Sequence, residues 1–225
     1  MTTVYLFAAL VPPREPVDEL WRVVEAVTAS LTAGERAPGR HAARTARPRR
    51  RSRREAEDAA PPPPPLVLDS AAQAHVPIAR FGNLTLADAD RLAESLTTQA
   101  AEWSTPRLRL SGYATRESED DSSVWVELTG DLDELGEVAR GVPRVAQGLR
   151  LFVDRRGFQP RVKLGRITEH ATETYVQALL DTIDHLDGET WWQSEVSLLT
   201  HADHGPDQPS FKTFATVPLG PRVPH

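Results

Sequence analysis

The sequence predicts an α+β fold. Two patterns carry that prediction: short apolar runs of strand-forming residues interleave with apolar residues at helical spacing, and the interleaving gives two comparable halves. A third observation sets the scale, since 225 residues with 40% apolar content can bury a sizeable core.

Residues 4–11 (VYLFAALV) form a near-continuous apolar run, the pattern of a central strand, and Pro12 and Pro13 end it. Val17, Leu20, Trp21, Val24, Val27 and Leu31 then recur at helical spacing, which predicts an amphipathic helix. Strands are expected at 66–68 and about 75–80, followed by a helix over about 86–101 with Asp88 and Asp90 in its acidic first turn. Further strands are expected at about 107–111 and 123–128. Leu132, Leu135, Val138 and Val142 mark a third helix, opened by Asp131. A strand at 159–164 precedes a fourth helix at about 172–186, whose apolar face is Tyr175, Leu179, Ile183 and Leu186 and whose end Gly188 marks. Two closing strands, at about 192–200 and 211–217, flank the turn-forming residues HADHGPDQPS.

Residues 34–65 stand apart. They contain no apolar residue larger than alanine, nine arginines and a five-proline run, so they cannot bury enough surface to offset their ordering entropy. They are expected to be a disordered Arg/Pro-rich insertion ending in a stiff polyproline II spacer, inside one domain spanning 1–225. The arginine run begins at Arg36 and ends at Arg54 with no acid between. The formal charge of −6 therefore divides into +9 over residues 36–54 and −15 over the rest. Such an arm can make unspecific nucleic-acid contacts, having no aromatic residue to stack on bases; it can dock on the acidic body; or it can bind nothing.

With no cysteine, a disulfide scaffold, cysteine-ligated zinc, an iron–sulfur cluster and a thiol nucleophile are excluded, and a reducing, cytoplasmic location is the expectation. The opening residues have no basic region and a short apolar run, so neither a signal peptide nor a membrane partner is expected.

Two segments carry a family likeness. Residues 75–82 (HVPIARFG) resemble the first signature of the 2′-5′ RNA ligase family, within the 2H phosphoesterase superfamily, where a strand reads His-x-Thr/Ser-hydrophobic and a Phe and a Gly follow. Residues 158–166 (FQPRVKLGR) resemble the second, Phe-x-Pro-His-x-Thr-Leu-x-Arg. The opening strand, prolines and helix, the stretch SVWVELTGD at 123–131, and the closing strands after Trp191 keep the family order. The resemblance implies a bilobal fold, with two mainly antiparallel sheets, helices on their outer faces and a central cleft. It also implies cleavage or formation of 2′,5′ or 2′,3′-cyclic phosphodiester bonds, with no metal and no cofactor. In that family two imidazoles serve as general base and general acid while two hydroxyls hold phosphate oxygens, each pair two residues apart on a strand face.

This chain departs from the pattern at three of the four positions. His75 matches the first imidazole, but Pro77 replaces the first hydroxyl residue, Arg161 the second histidine and Lys163 the second threonine. Proline has neither hydroxyl nor N–H, and an arginine does not exchange its proton near pH 7. Loss of one member of an acid–base pair costs about 10²–10⁴ in rate. Arg161 and Lys163 instead suit phosphate, so His75, Arg161 and Lys163 are the candidate phosphate-binding residues.

Three functional readings follow. The favoured one is a catalytically impaired member that binds a phosphorylated ligand, a nucleotide or RNA end, in the cleft. The second is an active cyclic phosphodiesterase or ligase, with His75 catalytic and Arg161 and Lys163 stabilising charge. The third is a non-enzymatic interaction protein with a closed cleft, in which Arg161 and Lys163 pair with carboxylates. Alternation places Arg80 and Arg166 on the face opposite His75 and Arg161, where structural roles are expected. His201, Asp203, His204 and Asp207 read as a solvated loop rather than a metal site, with His201 as a substitute acid the alternative. Nothing in the sequence specifies an oligomeric state.

Overall fold

The computed structural model describes residues 2–35, 63–115, 122–154, 157–202 and 211–221. Within them the order is β1 (Thr3–Leu10), α1 (Arg14–Glu35), β2 (Leu66–Leu68), β3 (Val76–Thr85), α2 (Leu86–Ala100), β4 (Arg107–Thr115), β5 (Ser123–Gly130), α3 (Leu132–Gly148), β6 (Arg161–Ile167), α4 (Glu173–Asp184), β7 (Asp187–Trp192), β8 (Glu195–His201) and β9 (Phe211–Pro218). The strands form two sheets, one ordered β3-β1-β8-β9 and the other β2-β6-β5-β4-β7, and every pairing is antiparallel. This is the two-sheet α+β architecture that the sequence predicts.

The local reasons are visible residue by residue. β1 lies between β3 and β8 with Leu6, Ala8 and Leu10 buried on one face and Phe7 and Ala9 on the other, which is why its sequence is apolar throughout. α1 buries Val17, Leu20, Trp21 and Val24, and the Trp21 indole donates to the Asp69 carbonyl at 2.7 Å. Thr85 and Thr172 cap α2 and α4, their hydroxyls accepting from the N–H of Asp88 and Tyr175. Asp131 opens α3, but its carboxylate accepts from the Arg107 N–H at 2.8 Å and so ties the helix start to β4. α3 buries Leu135, Val138, Val142 and Ala146. One continuous apolar core joins both sheets and all four helices, and a smaller cluster of Phe7, Ala9 and Leu199 lies on the opposite face of the four-stranded sheet.

Three features differ from the sequence expectation. β7 is an additional strand paired to β4 at the sheet edge; its sequence DGETWW alternates too little apolar surface to announce it. Gly188 lies inside β7 and does not end α4, which stops at Asp184 with His185 at its cap. A Cβ at 188 would come 2.6 Å from the Leu110 carbonyl oxygen, so the glycine serves a close backbone approach. Finally, Gly34 and Glu35 continue α1, while the Pro64 and Pro65 carbonyls accept hydrogen bonds from Thr168. The rest of the expected insertion, with its arginine run, lies outside the described residues. Among the described residues no helix is long and apolar enough to cross a membrane.

Candidate functional site

β3 and β6 carry the two signature segments and approach each other where the sheets meet. Each has an irregularity at the same offset. Opposite β1, Ala9 faces Pro77 and Ala8 faces Ala79, leaving Ile78 as an extra residue. Opposite β5, Trp125 faces Lys163 and Val124 faces Gly165, leaving Leu164 as an extra residue. Both extra residues stand three positions after the place of a family histidine.

A one-residue bulge shifts the in–out alternation of everything beyond it. Ile78 and Ala79 are both buried and Arg80 turns outward. Pro77 and Arg80 therefore line the same cavity, which corrects the alternation that sets Arg80 on the opposite face. Arg166 is likewise exposed and does not join buried Val162 and Leu164.

The cavity has a volume of about 280 Å³, and its walls include Pro77, Arg80, Trp125, Asp154, Gln159 and Arg161. Arg161 opens β6 with its guanidinium carbon 4.4 Å from the centre of the Trp125 ring, a cation–π contact that fixes the charged fork on the wall. The Trp125 Nε1 is buried with no hydrogen-bond partner, an orphaned donor beside that charge. Arg80 and Arg161 face one carboxylate, Asp154, among the lining residues, so the cavity is cationic within a chain whose body is acidic.

The other two predicted residues are not on that cavity's wall. Lys163, two positions along β6 from Arg161, holds its ammonium 3.2 Å from the Asp69 carboxylate and is not part of the cavity wall. Ion pairing thus takes Lys163, as the third sequence reading anticipates for it. His75 precedes β3, with its ring centre 5.9 Å from that of Phe7 and 5.1 Å from that of Phe211. Its Nδ1 lies 2.7 Å from the Gln73 carbonyl oxygen. A carbonyl only accepts, so Nδ1 carries the proton and Nε2 keeps the lone pair. Burial pushes the imidazole below its ordinary value of 6.5, the Gln73 hydrogen bond opposes this, and the positive charge of Arg80 adds to the lowering. His75 is therefore neutral at pH 7, in the tautomer of a general base.

His201 is the residue that sequence reasoning discounted. It ends β8, with its ring centre 4.8 Å from that of Tyr5 and 5.8 Å from that of Phe7. It belongs to a strand rather than to the solvated loop, and the two histidines flank Phe7 on one face of the sheet. The signal that could have found it is the Leu199–His201 spacing of two, which continues the apolar face into the imidazole. Asp203, His204 and Asp207 lie outside the described residues. Among the described residues no three histidine, aspartate or glutamate side chains gather as a metal site.

No protein-family model and no curated protein matches the chain. Solved structures do. Escherichia coli LigT in complex with 3′-AMP superposes with a TM-score of 0.57 at 13% identity, over 97% of this chain and 99% of that one. TT0787 of Thermus thermophilus gives 0.56 at 15% identity over 96% and 97%, and a protein described as a phosphoesterase gives 0.57 at 13% over 97% and 99%. The chain has a LigT-like, 2H phosphoesterase-type fold.

Proposed function

We propose, with that fold as premise, that this protein binds the phosphate of a nucleotide or RNA end in the cavity between β3 and β6, and that its capacity for turnover is impaired. The observation that carries the reading is the convergence of Arg80 and Arg161 on the cavity that also contains Pro77. Cationic donors stand there, and a hydroxyl and a second imidazole are missing from the positions that the family resemblance makes chemical. The guanidinium of Arg161 offers a planar fork to phosphate oxygens, and the unpaired Trp125 N–H supplies a further donor once a ligand oxygen reaches it. Lys163, paired with Asp69, does not line the cavity and is given no contact in this reading. The likeness to LigT supports the choice of ligand, because LigT structures contain 3′-AMP, phosphate, NADP+ and ATP.

Calorimetric titration with 3′-AMP and with inorganic phosphate tests the reading. Binding is expected, and Arg161→Ala is expected to weaken it at least about tenfold, the value of a charge-assisted hydrogen bond at the lower end of its range. No binding of either probe, or an Arg161→Ala protein that binds as well as its parent, overturns it.

A second reading has one observation in its favour. His75 is neutral, with its proton fixed on Nδ1, which is the state a general base requires. Incubation with a nucleoside 2′,3′-cyclic phosphate separates the two: turnover above a trace that vanishes in His75→Ala establishes an active phosphodiesterase.

A further inference from the structure

Beside the phosphate cavity lies a larger pocket of about 430 Å³, and apart from Ile78 and Asp154, which line both, the two have different walls. A stripe of α3 divides this pocket into an apolar floor and a cationic rim. Ala139 is buried and Pro143 half-buried, whereas Arg140, Arg144 and Gln147, at spacings of four and three, are exposed. Ile78 of β3, with Val153 and Phe158 from the segment between α3 and β6, completes the floor. The Arg140 guanidinium lies back over Gly136, where a Cβ would come 3.0 Å from its Nη1. Among the described residues neither Arg140 nor Arg144 has an ion-pair partner.

An apolar hollow of this size with a few convergent polar groups has the composition of a small-molecule site. The rim selects the head of the ligand: two guanidiniums one helical turn apart offer planar forks to a carboxylate, and the Gln147 amide adds a donor. The floor selects the body. Ile78, Pro143, Val153 and Phe158 have no side-chain partner for a polar group, so a sugar would leave its hydroxyls unmatched there while an apolar group loses nothing.

We infer that the α3 pocket is a second ligand site, for a small amphipathic carboxylate whose apolar body covers the floor and whose head meets Arg140 and Arg144. The inference stands beside the phosphate reading of the first cavity and does not rest on it. Because the two pockets share Asp154, their anionic ligands lie close enough to oppose one another, and each weakens the other by the same factor.

The test is calorimetric titration of the full chain with 4-phenylbutyrate, a carboxylate on an apolar body. A Kd of about 1 mM or tighter is expected for a probe of that size. Acetate keeps the head without the body, 4-phenylbutyramide keeps the body without the charge, and each is expected to bind at least about tenfold more weakly. Arg140→Gln/Arg144→Gln, at two exposed positions, is expected to weaken 4-phenylbutyrate about tenfold or more and 3′-AMP less than about threefold. Arg161→Ala gives the reverse pattern. Saturating 3′-AMP is expected to lower the affinity for 4-phenylbutyrate by no more than about tenfold. No binding of 4-phenylbutyrate, equal binding of its amide, a double variant with parental affinity, a loss in Arg161→Ala as large as in the double variant, or complete displacement by 3′-AMP overturns the inference. Failure of 3′-AMP to bind while 4-phenylbutyrate behaves as expected overturns the cavity reading and leaves this inference in place.

Discussion

Placing the family's residue types at three positions tests the proposal that turnover is impaired by residue type. In Pro77→Thr/Arg161→His/Lys163→Thr, an imidazole and a hydroxyl return to positions 161 and 77, which line one cavity, and a second hydroxyl returns to 163. The fold should tolerate this. Arg161→His forfeits the 4.4 Å stacking on Trp125, about 0.5–1 kcal/mol for a partly exposed cation–π pair. Lys163→Thr breaks a 3.2 Å ion pair whose two side chains are 36% and 34% exposed, worth about 1 kcal/mol at most after solvent screening. Pro77→Thr returns an N–H opposite Ala9 beside the Ile78 bulge. A loss of about 1–2 kcal/mol leaves a domain of ordinary stability folded. The gain from a second proton-transfer group is about 10²–10⁴ in rate, so hydrolysis of a nucleoside 2′,3′-cyclic phosphate, followed by chromatography at pH 7, is expected to rise at least about 100-fold over the parent. His75→Ala in the same background should remove it. A parent that is already as fast as the triple variant, or a triple variant indifferent to His75→Ala, refutes the reasoning.

Other outcomes follow from the same geometry. Lys163→Ala is expected to change phosphate affinity less than about threefold by calorimetry, because Asp69 holds the ammonium away from the cavity; a loss as large as that of Arg161→Ala would contradict the arrangement. His75 gives a signed pH effect. Its folded pKa lies below the unfolded 6.5, so the unfolded chain takes up the proton first and the stability contributed by the neutral ring is full above about pH 6.5 and declines as pH falls toward the folded value. Urea unfolding at pH 7 and pH 5 should show the parent losing more stability than His75→Gln, by at most about 1.4 kcal/mol per pH unit, and parallel losses would exclude it. Gly141→Ala would put a Cβ 2.2 Å from the Trp103 ring where α3 meets the end of α2, and overpacking of that kind is expected to cost about 2–3 kcal/mol in denaturant unfolding.

The reach of sequence reasoning differed between elements for physical reasons. β1 and the four helices were legible because burial of a face writes its own period into the chain, as in Val17, Leu20, Trp21 and Val24 of α1. β7 was not, since an edge strand that presents Asp187, Glu189 and Thr190 to solvent has little apolar alternation to show. Among candidate site residues, His75, Arg161 and Lys163 stand out by their places in the two signature-like segments, and of these the cavity wall includes Arg161. Simple alternation misplaces Arg80, because it assumes an unbroken ladder and Ile78 breaks it. The Gly and Pro content that follows His201 reads as a loop, although β8 runs through that residue. The pairing of Lys163 with Asp69 joins residues far apart in the chain, and no local pattern encodes it.

The fold class was legible in the residue pattern, and so were the residue types at the signature positions, proline at 77, arginine at 161 and lysine at 163, of which none exchanges a proton readily near pH 7. Only the tertiary structure decided which cations act together. The Ile78 bulge turns Arg80 onto the cavity that Arg161 also lines, and a long-range ion pair with Asp69 engages Lys163, because the direction of a side chain depends on strand register and its contacts on neighbours brought in from elsewhere in the chain.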